Sequence, residues 1–164
     1  MKKFSTIIIL ILILNLIYAC AGYKPIYTTD LQFEIVEYSM VNDKQIGKQI
    51  YSKLYGLSKS SSKNKAKTQS INLKINTTKN KNATNKDASG KVLNYKITIN
   101  TIVIIKDYLT NSEILNQTFT YSSTYKVQDQ YSETIKLESK TIENIMNQTY
   151  QDLLIKMSEK MLAQ

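Results

Sequence analysis

Histidine, tryptophan and arginine are missing from this 164-residue chain, and it has one cysteine, one proline and four glycines. Without histidine, the usual general base and commonest metal ligand is gone. A lone cysteine has no intrachain disulfide partner. The glycines are scattered at positions 22, 47, 56 and 90, so no glycine-rich phosphate loop can be built. Paired carboxylates remain the one route to acid–base chemistry. Glu34 and Glu37 lie three apart, on opposite faces of a strand. Glu133, Glu138 and Glu143 are five apart and spread around a helix, where they read as solvated charge. The residues therefore predict no catalytic site, no metal site and no cofactor: the chain does not read as an enzyme.

The sequence begins with a positive Lys2-Lys3 pair and an apolar run from Ile7 to Leu14, extended by Leu16 and Ile17. The run is shorter than the ~20 apolar residues that span a bilayer. It has the form of a secretory signal peptide, covering residues 1–19. The following Ile17-Tyr18-Ala19-Cys20 resembles a lipobox, with an aliphatic residue three before the cysteine and a small one just before it. Tyr18 is bulkier than that pattern usually carries. Cys20 is the expected lipidation site, which would remove an otherwise exposed thiol and tie the chain to a membrane. One acyl chain anchors only marginally, and stable anchoring takes more; the three chains of bacterial lipoproteins would suffice. Residues 20–30 then form a tether, and 31–164 are long enough for a single domain. At most four good strands are visible, against the eight with which transmembrane barrels begin.

Charge is uneven. From Lys59 to Lys96 there are ten lysines and one acid, Asp87. Such a segment points to an anionic partner. Lysine, asparagine, isoleucine and tyrosine also have A/T-rich codons, so composition alone explains part of the excess. Lysines alongside twelve tyrosines fit nucleic-acid binding too, but an exported lipoprotein rarely meets nucleic acid, and none is expected as a partner.

Leu31–Met40 reads as a strand with Phe33 and Ile35 on one face and Val36, Tyr38 and Met40 on the other, a pattern of strands covered on both sides. Asn42 is a plausible helix cap with Gln45 three residues on. Ile46, Ile50, Leu54 and Leu57 follow at helical spacing, and the Ser/Lys-rich stretch 58–67 ends the helix. Ile71, Leu73 and Ile75 alternate with polar residues, as in a strand with one wet face. Lys79–Lys91 is polar, carries Gly90 and reads as a loop or hairpin end. Leu93, Tyr95, Ile97 and Ile99 alternate again, and the pattern then becomes continuously apolar from Ile102 to Ile105. Thr110-Asn111-Ser112 is a turn signal, followed by Leu115, Phe119, Tyr121, Tyr125 and Val127 at odd positions. Ser132 can cap a last helix whose apolar stripe runs through Ile135, Ile142, Ile145, Met146, Tyr150, Leu153, Met157 and Met161. The order β-α-β-β-β-α predicts an α+β two-layer sandwich, a four-stranded sheet with two helices on one face and a polar opposite face.

Three stretches carry a family resemblance. Cys20-Ala21-Gly22-Tyr23-Lys24-Pro25-Ile26-Tyr27 resembles the "CGFRPLY"-like mature start of the LPS-assembly lipoprotein LptE family. Ser123–Ser132, leading into a long helix with Gln151-Asp152-Leu153-Leu154, is similar to the corresponding region of alphaproteobacterial members. Leu93-Asn94-Tyr95 after a basic segment is a weaker match. Ala21, an extra residue before the glycine, and the lack of arginine depart from the pattern. The resemblance implies two helices on a four-stranded sheet. It also implies an outer-membrane lipoprotein that plugs an LptD-like β-barrel, helps it assemble and binds lipopolysaccharide. The absence of aspartate after Cys20 resembles outer-membrane sorting. In LptE-like proteins the basic end of the sheet faces lipopolysaccharide, which makes Lys79, Lys81, Lys86 and Lys91 the candidate phosphate contacts. The rival reading is a structural or surface lipoprotein with no lipopolysaccharide role. A lipid-anchored solute-binding protein fits less well, since such proteins usually need two domains and a cleft.

Overall fold

A computed structural model describes residues 31–61 and 68–161. The elements run β1 (Phe33–Asn42), α1 (Lys44–Ser61), β2 (Gln69–Lys86), β3 (Val92–Asp107), β4 (Glu113–Lys126) and α2 (Tyr131–Met161). They form one four-stranded sheet in the order β1-β2-β3-β4. β1 and β2 are parallel, which requires a crossover, and α1 is that crossover. β2–β3 and β3–β4 are antiparallel hairpins. The architecture is the expected α+β arrangement.

Odd-numbered residues of β2 and β3 make the sheet's side of the core: Ile71, Leu73, Ile75, Ile97, Ile99, Val103 and Ile105 are at most 1% exposed. α1 supplies Ile46, Ile50 and Leu54, and α2 supplies Ile145, Met146, Leu153, Leu154 and Met157. Three threonines also sit on the buried face of α2. Thr141 and Thr149 donate their hydroxyls to the carbonyls of Leu137 (2.7 Å) and Ile145 (2.9 Å), which removes the cost of burying them. Thr134 instead ties the β4–α2 connection, accepting from the Gln128 amide at 2.9 Å. Ile135, expected in the stripe, is 40% exposed. The buried face is rotated toward the threonines, which apolar spacing does not register.

Several sequence expectations need correction. β1 is an edge strand and is not covered on both faces. Its register shifts between Ile35 and Glu37, with Val36 as the extra residue. A bulge of one residue flips every side chain after it. Tyr38 and Met40 therefore pair beside Leu73 and Ile75, on the same layer as Phe33 and Ile35. The cap of α1 is Asp43: its Oδ1 accepts from the Ile46 amide at 3.1 Å. Asn42 instead ends β1 with φ 63° and donates to Asn76 Oδ1 at 2.6 Å. Ser132 lies inside α2, which begins at Tyr131.

The largest correction concerns Lys79–Lys91. Most of it is strand: β2 runs on to Lys86, paired with β3 as far as Val92. Only Asp87–Lys91 turns, with Gly90 at φ 85° and Asp87 Oδ1 accepting from the amides of Ser89 and Lys91, both at 2.9 Å. The distal half of β2 buries no residue on either side, so its alternation is invisible in sequence. The turn at Asn111 is where it was expected, with φ 56° there and Asp107 Oδ1 accepting from Leu109 and Thr110 amides at 3.0 and 2.9 Å.

Candidate functional site

β1 ends at Asn42, opposite Thr77. β2 therefore runs past it, and Thr78–Lys86 is an exposed edge paired only with β3. Three of the four candidate lysines lie on this edge and the fourth, Lys91, follows the turn. Pleating puts Lys79 and Lys81 on the helix side of the sheet. Lys86 lies opposite Val92, at the hairpin end. Lys79 and Lys86 are seven residues apart along a strand, about 23 Å. The structure thus divides the candidates into a pair beside the helices and a pair at the tip.

Lys81 differs from the other three. Its Nζ lies 2.5 Å from Glu138 Oε2 of α2, 4.5 Å from the Tyr95 ring centre and 5.6 Å from that of Tyr125. Tyr125 donates to the same Glu138 oxygen at 2.8 Å. Tyr95 and Tyr125 are stacked, with centroids 5.9 Å apart. Burial works against the charge of Lys81, yet its bonding to Glu138 and Tyr125 prevails and holds its pKa above the usual lysine value. Burial likewise pushes Glu138 up, but Lys81 and Tyr125 outweigh it and leave the carboxyl below its ordinary value. Tyr125 is raised, first by burial. This cluster pins the basic strand to α2. Glu138, read from sequence as a solvated charge, is its centre, and no helical spacing could have shown a partner 57 residues away.

Lys79 lies at the mouth between the two helices, sharing a small pocket with Asp43, Ile135 and Glu138. Lys79, Lys86 and Lys91 are exposed and form no ion pair among the described residues. Cys20 and the signal and tether segments lie outside the described residues.

The sheet's open face is built from even-numbered positions. At its centre, Asn76, Thr78 and Asn80 of β2, Thr98 and Asn100 of β3, and Thr118, Thr120, Ser122 and Thr124 of β4 are uncharged amides and hydroxyls, with Lys74, Lys96 and Lys106 on the same face toward its ends. Half-buried Ile102 and Ile104 are its apolar exceptions. At the far end of α2, Tyr121 donates to Asp152, and that bond, with burial, pushes the phenol up to about 12. No helix among the described residues is long and apolar enough to cross a membrane.

No protein-family model matches the chain, and no curated protein matches it. Solved structures do share its fold. The lipoprotein B of Nitrosomonas europaea, described as uncharacterized, superposes with a TM-score of 0.56 at 18% identity, covering 81% of this chain and 88% of that one. The minor lipoprotein of Acinetobacter baumannii gives 0.54 at 14% identity over 79% and 92%. The rare lipoprotein B of Shewanella oneidensis gives 0.52 at 10% identity over 77% and 97%. At such identities the likeness is one of fold, and the chain has the fold of these bacterial lipoproteins over nearly their whole length.

Proposed function

We propose that the chain is an LptE-type lipoprotein. It is processed before Cys20, lipid-anchored there to the outer membrane, and seated as the domain 31–164 inside an LptD-like β-barrel that it helps to assemble, where it binds lipopolysaccharide in transit to the outer leaflet. The observation that carries this reading is the uncovered face of the sheet. Asparagine, threonine and serine from three strands make the middle of this face polar, with lysines toward its ends. The lumen of a large barrel is polar and suits such a face. The shared fold with three bacterial lipoproteins and the lipobox-like Ile17-Tyr18-Ala19-Cys20 support the same reading. Exposed Lys79, Lys86 and Lys91 supply cations for phosphate, as lysines do by point charge.

The test is recovery of the lipidated protein from outer membranes with whatever it holds. A stoichiometric barrel of several hundred residues is expected, with an interface above roughly 2,000 Å². Mass spectrometry should find the mature N-terminus at a triacylated Cys20. If no barrel is recovered, the plug reading fails, and an unmodified Cys20 would remove the anchor.

A further inference from the structure

α1 carries a second stripe besides its buried one. Lys44, Lys48, Tyr51, Tyr55 and Lys59 follow one another at spacings of four, three, four and four, which sets them on one face of the helix. β1 adds a third tyrosine. The register shift at Val36 brings Tyr38 to the helix side of the sheet, where its ring stacks on Tyr51 with centroids 4.1 Å apart. Tyr51 stacks in turn on Tyr55 at 5.7 Å, and Lys59 Nζ lies 5.3 Å from the Tyr55 ring centre. Tyr38 is 54% exposed and Tyr55 42%. None of the three phenol hydroxyls has a hydrogen-bond partner among the described residues.

The stripe has one sign. Lys44, Lys48 and Lys59 form no ion pair among the described residues. The acids of β1 face away: Glu34 and Glu37 pair beside Ser70 and Asn72 on the open side of the sheet, and Glu37 accepts from the Asn72 side chain at 3.1 Å. Asp43, next to Lys44, turns its carboxylate to the Ile46 amide as the helix cap. A hollow of about 380 Å³ opens between Tyr38 and Tyr51, with Lys44 and Lys48 in its wall. Tyrosine has an apolar body and a wet tip, which suits a membrane–water interface, and lysines beside it are drawn to anionic lipid. Position favours the membrane over an acidic protein. The chain from Cys20 enters the domain at β1, the strand that carries Tyr38, and Cys20 and Phe33 are 13 positions apart. That is about 45 Å when fully extended. α1 is about 27 Å long and returns along β1, so its Lys59 end lies toward that entry. The whole stripe is within reach of the leaflet that holds an acylated Cys20.

We propose that the lysine–tyrosine stripe of α1, with Tyr38 of β1, rests on the anionic phospholipid headgroups of the membrane in which Cys20 is anchored. The tyrosine rings sit at headgroup level and the lysines against lipid phosphates. This goes beyond the plug reading and rests on it for the anchor alone. It describes the lipoprotein on its membrane before a barrel encloses the domain.

The chain has no tryptophan, so a single one reports its own surroundings. Mature lipidated protein with Tyr55→Trp is reconstituted in vesicles of phosphatidylcholine and phosphatidylglycerol, with and without lipid spin-labelled near the headgroup. The control is Tyr131→Trp, at the exposed start of α2. Fluorescence of Tyr55→Trp should shift to the blue and be quenched by the label, and that of Tyr131→Trp should do neither. Phosphatidylcholine alone, raised salt, or Gln at Lys44, Lys48 and Lys59 should each cut the quenching several-fold. The three lysines are exposed, so circular dichroism of the triple variant should match the parent. With Cys20 shown by mass spectrometry to be acylated, an unquenched Tyr55→Trp overturns the docking alone. Equal quenching at both positions, or quenching indifferent to charge and salt, does the same. A blue shift that grows with protein concentration and is not quenched assigns the stripe to a second copy of the chain instead. An unacylated Cys20 overturns the anchor and the docking with it. The vesicles contain no barrel, so the plug reading stands or falls by its own recovery test.

Discussion

Lys81 and Lys79 are two residues apart on one strand face and have different lives. Lys81 is held by Glu138 and two tyrosine rings, whereas Lys79 points to the open mouth between the helices. About a third of the Lys81 side chain is exposed, so solvent screens the pair and its value lies between surface and buried ion pairs. Lys81→Gln should therefore cost about 1–2 kcal/mol in urea unfolding, part of it from leaving Glu138 without its cation. Lys79→Gln should change stability by less than about 0.5 kcal/mol. The pH dependence follows from the direction of the Glu138 shift. Its folded pKa lies below the ordinary 4.5, so its contribution is present above that value and is lost as pH falls through the folded pKa. Glu138→Gln should flatten that acid limb of the stability profile. An unchanged limb would mean that another carboxylate governs it. The lysine density was visible in sequence. Which lysine is engaged depends on α2 reaching over the strand.

Among the elements, the turn from β1 into α1 is decided by two adjacent residues of similar capping ability. Asp43 accepts the Ile46 amide, and the Thr77 hydroxyl and the Asp43 amide tie the same turn to β2, donating to the Asp43 carbonyl at 2.6 Å and the Thr77 carbonyl at 2.9 Å. Asp43→Ala should cost about 1 kcal/mol, the usual loss for a helix cap. Asn42→Gly keeps the left-handed backbone accessible and should stay within about 0.5 kcal/mol. Equal losses would place the cap at Asn42 after all. The apolar periodicities of α1, β3 and β4 were legible because each of these elements buries one side. The distal half of β2 was not, because Lys79–Lys86 buries neither side and is a strand only by pairing with β3. The β1 bulge at Val36 was equally hidden. Alternation breaks there, and only the partner strand shows whether a break means two buried faces or one extra residue.

For the whole molecule, the sheet has one face under helices and one left open, with lysines at the distal end. Replacing Lys79, Lys86 and Lys91 by Gln, with Lys81 kept, should leave folding within about 0.5 kcal/mol per site. Lipopolysaccharide binding should weaken markedly, and the remainder should depend less on salt, because screening acts on these charges. Equal binding by variant and parent across a salt titration would make the lysines compositional. Lys79 and Lys86 lie about 23 Å apart along β2, so a ligand that they recognise together must be extended.

Local spacing in the sequence was enough to determine the element order, the core side of each amphipathic element and the class of the fold, because periodicity of two or 3.6 records burial one residue at a time. The absence of histidine and of a second cysteine bounded the chemistry in the same direct way. Tertiary structure alone decided what depends on distant partners: the length of β2, the single-faced register of β1 and the Lys81–Glu138–Tyr125 cluster. Each of these brings together residues from separate elements. Polar residues carry no burial rhythm from which such a meeting could be read.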